Sequence, residues 1–231
     1  MKIIRVLSGG AAQGLVEALQ PSFEASIGCK VDGVFGAVGA MKSRLLAGEP
    51  VDILILSRTL FDGLARDGHV VGQSAKDIGA VQTAIAVRSG DAPPAVGSAA
   101  ELRAALLASD AIHFPDPEQS TAGIHFAKVL KDLGIWDEVA GRRRPAPNGT
   151  TAMRELAAAT ESRPIGCTQA TEILATPGIV LVAPLPAGYD LATVYSCAIA
   201  TKSQVQAEAA ELIASLTGDA ARDSRRRLGF V

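Results

Sequence analysis

Two hydrophobic periods alternate along this chain. Ile3–Leu7 is a short apolar run with the character of a buried strand. Gln13–Ile27 then carries Leu15, Val16, Leu19 and Phe23 at helical spacing, and Gly28 stands where a left-handed helix cap belongs. The same alternation predicts strands at Lys30–Phe35 and Val51–Leu56, with a helix at Ala40–Ala47 between them closed by Gly48. Further on it predicts strands at Gly79–Val87, Ala111–Phe114, Ile165–Cys167, Ile179–Ala183 and Tyr195–Ala200. Helices are expected at Ala99–Leu107, Ala122–Leu133, Met153–Thr160 and Gln204–Leu216, with a short closing one at Ala220–Leu228. Near-continuous apolar strands alternating with helices imply parallel sheets covered on both faces.

Five of the strand-to-helix junctions are built from small residues. They are Ser8-Gly9-Gly10-Ala11, Gly36-Ala37-Val38-Gly39, Gln119-Ser120-Thr121-Ala122-Gly123, Asn148-Gly149-Thr150-Thr151 and Thr168-Gln169-Ala170-Thr171. Each places unpaired amides and small hydroxyls at the positive end of a helix, which suits an anion without a dedicated cation. A single such junction is only a capped helix; five in a chain of 231 residues suggest helix starts that converge on one pocket.

Composition narrows the partners. With 48% apolar residues and a mean hydropathy of +0.25, a sizeable core is available. Aromatics at 4% leave few platforms for stacking bases or sugars, and a net charge of −2 gives no field for DNA or an acidic membrane. Cys29, Cys167 and Cys197 show neither metal-ligand spacing nor an even count, so neither a disulfide framework nor a zinc site is indicated. Gly9, Gly10 and Gly14 do not make a dinucleotide fingerprint. No cofactor and no metal is expected, and no stretch is long enough for a membrane span. The chain as given starts directly on a strand and reads as cytoplasmic, or as periplasmic if a leader has been removed.

Longer stretches resemble a known family. Gly36-Ala37-Val38-Gly39-Ala40 followed by Ala47-Gly48-Glu49-Pro50-Val51-Asp52 is similar to a stretch of the molybdate-type substrate-binding proteins of ABC transporters. So are Asp116-Pro117-Glu118 with Ala122-Gly123, then Leu133-Gly134-Ile135-Trp136-Asp137, and the closing Leu228-Gly229-Phe230. The resemblance implies an α/β, type II periplasmic binding protein fold: two lobes with mainly parallel sheets and a ligand cleft between them. The lobes are expected at 1–83 plus 194–231 and, inserted, at 84–193. The resemblance also implies a small anionic ligand trapped by lobe closure and handed to an ABC transporter permease; a monomer is expected. The family's oxyanion hydroxyls fall here on Ala11 and on Ala37-Val38-Gly39, which favours a carbon-bearing anion over molybdate. The aconitate isomerase group has a similar chain, so a cofactor-independent isomerase of an unsaturated polycarboxylate is the alternative.

The ligand-binding candidates are therefore Ser8, Gly9, Gly10, Ala11, Ala37, Val38, Gly39, Ser120, Thr121, Asn148, Gly149, Thr150, Thr168 and Gln169. Proton-transfer candidates, should the protein be an enzyme, are His125 in the first turns of a helix and Glu118 in the turn before it. Arg142-Arg143-Arg144 is read as a solvated charge run from which one guanidinium reaches a carboxylate, and Asp52 as a tether for a neighbouring turn.

Overall fold

The computed structural model describes all 231 residues, which divide into two compact units. Unit 1 comprises Met1–Ala80 and Thr193–Val231; unit 2 is Val81–Ala192.

Unit 1 begins with strand β1 (Ile3–Gly9), helix α1 (Gln13–Ile27), strand β2 (Lys30–Gly36), helix α2 (Val38–Leu46), strand β3 (Ile53–Ser57) and the short helix α3 (Phe61–Arg66). Strand β4 (Lys76–Arg88) carries the chain into unit 2. There follow helix α4 (Ala99–Ala108), strand β5 (Ala111–Pro115), helix α5 (Thr121–Asp132), strand β6 (Arg143–Ala146), helix α6 (Gly149–Ala158), strand β7 (Pro164–Gln169), helix α7 (Ala170–Leu174) and strand β8 (Ile179–Pro184). The chain returns through β9 (Ala192–Ile199) and ends in α8 (Gln206–Thr217) and α9 (Arg222–Arg227).

In unit 1, β1 lies between β2 and β3 and runs parallel to both, with Gly9 level with Gly36 and Ser8 level with Ile55. In unit 2, β5 lies between β6 and β7, again parallel to both. The sheets are nonetheless mixed rather than purely parallel. β9 runs antiparallel to β3, and β4 runs antiparallel to both β7 and β8. β7 and β8 flank β4 and therefore run parallel to each other, joined by the short helix α7.

Each unit has its own core. β3 is buried along its whole length, and so are Ile4 and Val6 of β1 and Leu15 of α1. In unit 2, Ile85, Leu102, Phe114, Phe126, Leu130 and Ile165 form one cluster, with the Phe114 and Phe126 rings edge-to-face at 5.5 Å. All three cysteines are free and buried.

Several expectations shift. α2 starts at Val38 because Ala37 is extended and acts as its cap, and α6 starts at Gly149 because Asn148 does so with its side chain. α3, β6 and α7 carry too few residues to show a period. Two residues of the arginine run are anchored rather than solvated, while Arg144 is exposed. Arg142 donates to the carbonyls of Leu107 and Ser109 at the end of α4, and Arg143 stacks 3.6 Å over Trp136. Arg225 does the same in unit 1, donating to the carbonyls of Leu216 and Gly218 at the end of α8. Asp52 is a tether, accepting from the Arg5 amide and from the Ser203 hydroxyl.

Candidate functional site

Ligands of open α/β sheets meet the carboxyl ends of the strands, and the five small-residue junctions fall there in both units. They form two rims of different construction.

The rim of unit 1 joins the ends of β1 and β2. A Cβ on Gly9 would stand 2.8 Å from Val38 Cγ1 and 3.1 Å from Tyr195 Cε1, so only a glycine lets these elements approach this closely. In the 3-10 turn after β1, the amides of Gly10 and Ala11 precede the first internal bond, which runs from Ala12 to the cap residue Gly9. In α2 the amides of Val38, Gly39 and Ala40 precede the first helical bond, from Met41 to Ala37. The walls are the buried side chains of Ala11, Ala37 and Val38. Ser8 lends no hydroxyl to the rim: it is fully buried and donates to the Gly9 carbonyl at 2.9 Å. Arg58, just past β3, is paired with Asp77 at 2.7 Å. The rim of unit 1 therefore offers amides and apolar surface, with no donor hydroxyl from the predicted positions.

The rim of unit 2 contains three helix starts, those of α5, α6 and α7, at one edge of the parallel strands β7, β5 and β6. Before α5, Asp116 Oδ1 accepts from the amides of Glu118 and Gln119, turning the chain sharply. A Cβ on Gly123 would lie 2.2 Å from the Asp116 carbonyl oxygen, so this helix is seated directly on the strand end. Ser120 occupies the cap position but makes no side-chain cap bond, which leaves the amides of Thr121, Ala122 and Gly123 ahead of the first helical bond.

The start of α6 is arranged differently, because it already holds an anion. The Glu172 side chain, from the first turn of α7, accepts from the Thr168 hydroxyl at 2.6 Å and from the backbone amides of Gln169 and Thr150. Asn148 Oδ1 takes the Thr151 amide at 2.8 Å. A Cβ on Gly149 would stand 1.9 Å from Glu172 Oε2 and 2.2 Å from Thr168 Oγ1. Asn148, Gly149, Thr150, Thr168 and Gln169 are thus brought together, and the anion among them is the protein's own carboxylate. Burial pushes Glu172 up to about 7, against the three hydrogen bonds that favour its ionised form. No charged side chain is among the influences on it. Two further hydroxyls nearby, those of Thr171 and of Thr83, are buried without a hydrogen-bond partner; Thr83 lies level with Gln169 on the neighbouring strand.

Glu172 was not among the sequence candidates, although its signal was present. Gln169 is the cap residue of α7 and Glu172 stands three positions later, the spacing at which an acid reaches back to the cap amide. The two proton-transfer candidates have other surroundings. Glu118 is an exposed turn residue, and His125 Nε2 lies 2.6 Å from the Tyr189 carbonyl. A carbonyl only accepts, so that nitrogen carries the proton, and Nδ1 alone is left to take one up. The group whose proton affinity sits near neutrality is Glu172. No cluster of three or more His, Cys, Asp or Glu side chains is placed to hold a metal ion. A cavity of about 380 Å³ in unit 1, lined by Arg5, Asp52, His69 and Lys202 among others, lies at the amino ends of β1 and β3, away from the rim.

Comparison with known proteins accords with this architecture. The Azotobacter vinelandii periplasmic molybdate-binding protein superposes with a TM-score of 0.81 at 17% identity, covering 99% of this chain and 98% of that one. The sulfate-binding protein SubI of Mycobacterium tuberculosis gives 0.76 at 17% identity over 100% of this chain and 86% of that one. PEB3 bound to L-phospholactate gives 0.70 at 15% identity over 98% of each chain. At the sequence level, an aconitate isomerase from a Pseudomonas species is 28% identical over 229 residues, which are 95% of this chain and 84% of that protein. The fold is that of the periplasmic binding proteins. The sequence profile of the bacterial extracellular solute-binding proteins matches residues 4–231, and the chain belongs to that family.

Proposed function

We propose that this protein captures a small organic anion, a di- or tricarboxylate, at the helix starts of its strand ends. The observation that carries this reading is the set of open amides at Gly10–Ala11 and Val38–Ala40 in unit 1, bordered by Ala11, Ala37 and Val38 rather than by hydroxyls; unit 2 has open amides of its own at Thr121–Gly123. Amides at a helix start favour negative charge. Apolar walls favour carbon over a bare tetraoxyanion, whose every unmet oxygen costs about 1–3 kcal/mol. Structural relatives named for molybdate, sulfate and L-phospholactate support an anion, and the aconitate isomerase relative supports a carboxylic one. On this reading the partner is an ABC transporter permease to which the ligand is handed.

A thermal-shift screen over molybdate, sulfate and a range of di- and tricarboxylates tests it. A ligand at a hundredfold excess over its Kd adds about 2.7 kcal/mol, which for a chain of this size raises Tm by roughly 5–10 °C. A carboxylate that does so while molybdate and sulfate do not is the expected result. Stabilisation by molybdate at micromolar concentration, or by nothing in the panel, overturns the reading.

A second reading is favoured by one feature. Glu172 holds and releases a proton near pH 7, the range suited to general acid–base work, and the Pseudomonas relative is an isomerase. As an isomerase the protein would remove a proton from one carbon of an unsaturated polycarboxylate and return one to another, shifting the double bond. Exchange of a substrate C–H proton with deuterated solvent is the expected sign; its absence across unsaturated acids removes this reading.

A further inference from the structure

We propose that Glu172 is the specificity-determining acid of the anion site, so that a multiply charged ligand is held only with this carboxyl neutral and each binding event takes up a proton. The inference rests on the carboxylate-capture reading above.

Three observations carry it. First, the Glu172 carboxyl is fully surrounded by protein and is held by one hydroxyl and two amides with no cation, so its charge is unbalanced whenever it is ionised. Second, it sits at the start of α6, on the same edge of β7, β5 and β6 as the open amides of α5. Neighbouring strand ends are about 5 Å apart, so two negative charges on this edge repel through little solvent. Third, the hydroxyls of Thr171, beside Glu172 in the first turn of α7, and of Thr83, on the strand next to β7, are buried without partners. Polar atoms this deeply buried are ordinarily matched, which points to a ligand at this edge.

No other group shares the titration. Among the elements packed on α7, β8 has no ionisable residue, and Arg154 and Glu155 on α6 are exposed. The Cys167 thiol on β7 is held protonated by burial. His113, on the adjoining β5, is kept uncharged by burial. The fold thus provides one proton acceptor next to the rim and nothing to neutralise it except the proton itself.

Calorimetric titration with trans-aconitate, in buffers of different ionisation enthalpy between pH 7 and 9, tests the proposal. In the wild-type protein affinity should fall by up to about tenfold per pH unit, with nearly one proton taken up per ligand at the upper end. In Glu172→Gln the affinity should be flat with pH and the proton count zero. A merely structural role would lower affinity evenly and leave the slope and the proton count unchanged, which overturns the proposal. If Glu172→Gln does not fold, Thr168→Val removes a donor to the ionised form and should move the onset of the affinity loss to higher pH; an unmoved onset counts against Glu172. Binding without pH dependence removes the role of Glu172 alone. An absence of binding in every protein at every pH, with a flat thermal-shift screen, removes the capture reading and this inference with it.

Discussion

The helix starts at the rim of unit 1 and the start of α6 in unit 2 both lie at the carboxyl ends of parallel strands, and the chain treats them in opposite ways. Around Gly9 and Val38 the amides are left open between apolar walls. Around Gly149 the chain fills the start of α6 with Glu172, and Asn148 takes the next amide. An acceptor within reach decides the difference, since both starts are buried and only that of α6 meets a carboxyl from the neighbouring helix. Gly149, Thr168 and Glu172 are enclosed, and an enclosed donor without an acceptor costs about 1–3 kcal/mol, so the sequence supplies an acceptor from the neighbouring helix. A helix start is therefore not equivalent to a vacancy for an anion; its neighbours decide whether it is already occupied.

The sharpest way to break this contrast is to crowd each rim. Gly149→Ala would force a Cβ against Glu172 Oε2 and Thr168 Oγ1, and should destabilise by about 3–5 kcal/mol. Gly9→Ala meets only side-chain carbons at its closest contacts and should cost about 1–2 kcal/mol. Urea denaturation measures both, and equal losses would mean that the rim of unit 2 is no more rigidly filled than that of unit 1.

The next effect is on pH dependence. Glu172 is raised from 4.5 to about 7 in the folded protein, so the native state holds a proton that the unfolded chain has released over that window. Stability from this group is therefore fully present below pH 4.5, is lost as pH rises from 4.5 to 7, and stays lost above. The loss is about 3 kcal/mol. Carboxylates held below their usual range, such as Glu24 and Glu49, change stability with the opposite sign at lower pH. The difference between wild type and Glu172→Gln isolates the buried acid. Parallel stability curves for the two proteins from pH 4.5 to 8 would contradict its raised proton affinity.

Thr168→Val should follow, costing about 1–3 kcal/mol at pH 8, where the lost donor faced a carboxylate, and less at pH 5, where it faced a neutral acid. The smallest contrast lies within unit 2 itself. Asn148→Ala removes a cap bond to Thr151 and should cost about 1 kcal/mol. Ser120→Ala removes a hydroxyl that makes no cap bond, and should lower stability by only a few tenths. Comparable losses at both positions would show that the start of α5 is closed in solution too.

Much of this was legible in the chain before it was folded. The helical spacing of Leu15, Val16, Leu19 and Phe23 marked α1, and Gly28, at φ 72°, ended it in the left-handed conformation that favours glycine. The junctions at Ser8–Ala11 and Gly36–Gly39 were visible as small residues between strand and helix, because local backbone geometry demands them. The short elements α3, β6 and α7 were not visible, since four to six residues carry no measurable period.

Sequence by itself determined the order of strands and helices, the family, and the positions where helix starts meet strand ends. Those follow from hydrophobic period and from local steric demands, which act between residues close along the chain. Only the tertiary structure decided which starts stay open. Glu172 reaches the Thr150 amide from a different helix, and Ser8 turns its hydroxyl onto the Gly9 carbonyl while Val38 closes on Gly9. Burial, and with it the proton affinity of a carboxyl and the cost of an unmatched amide, is a property of the assembled neighbours, and no residue carries it alone.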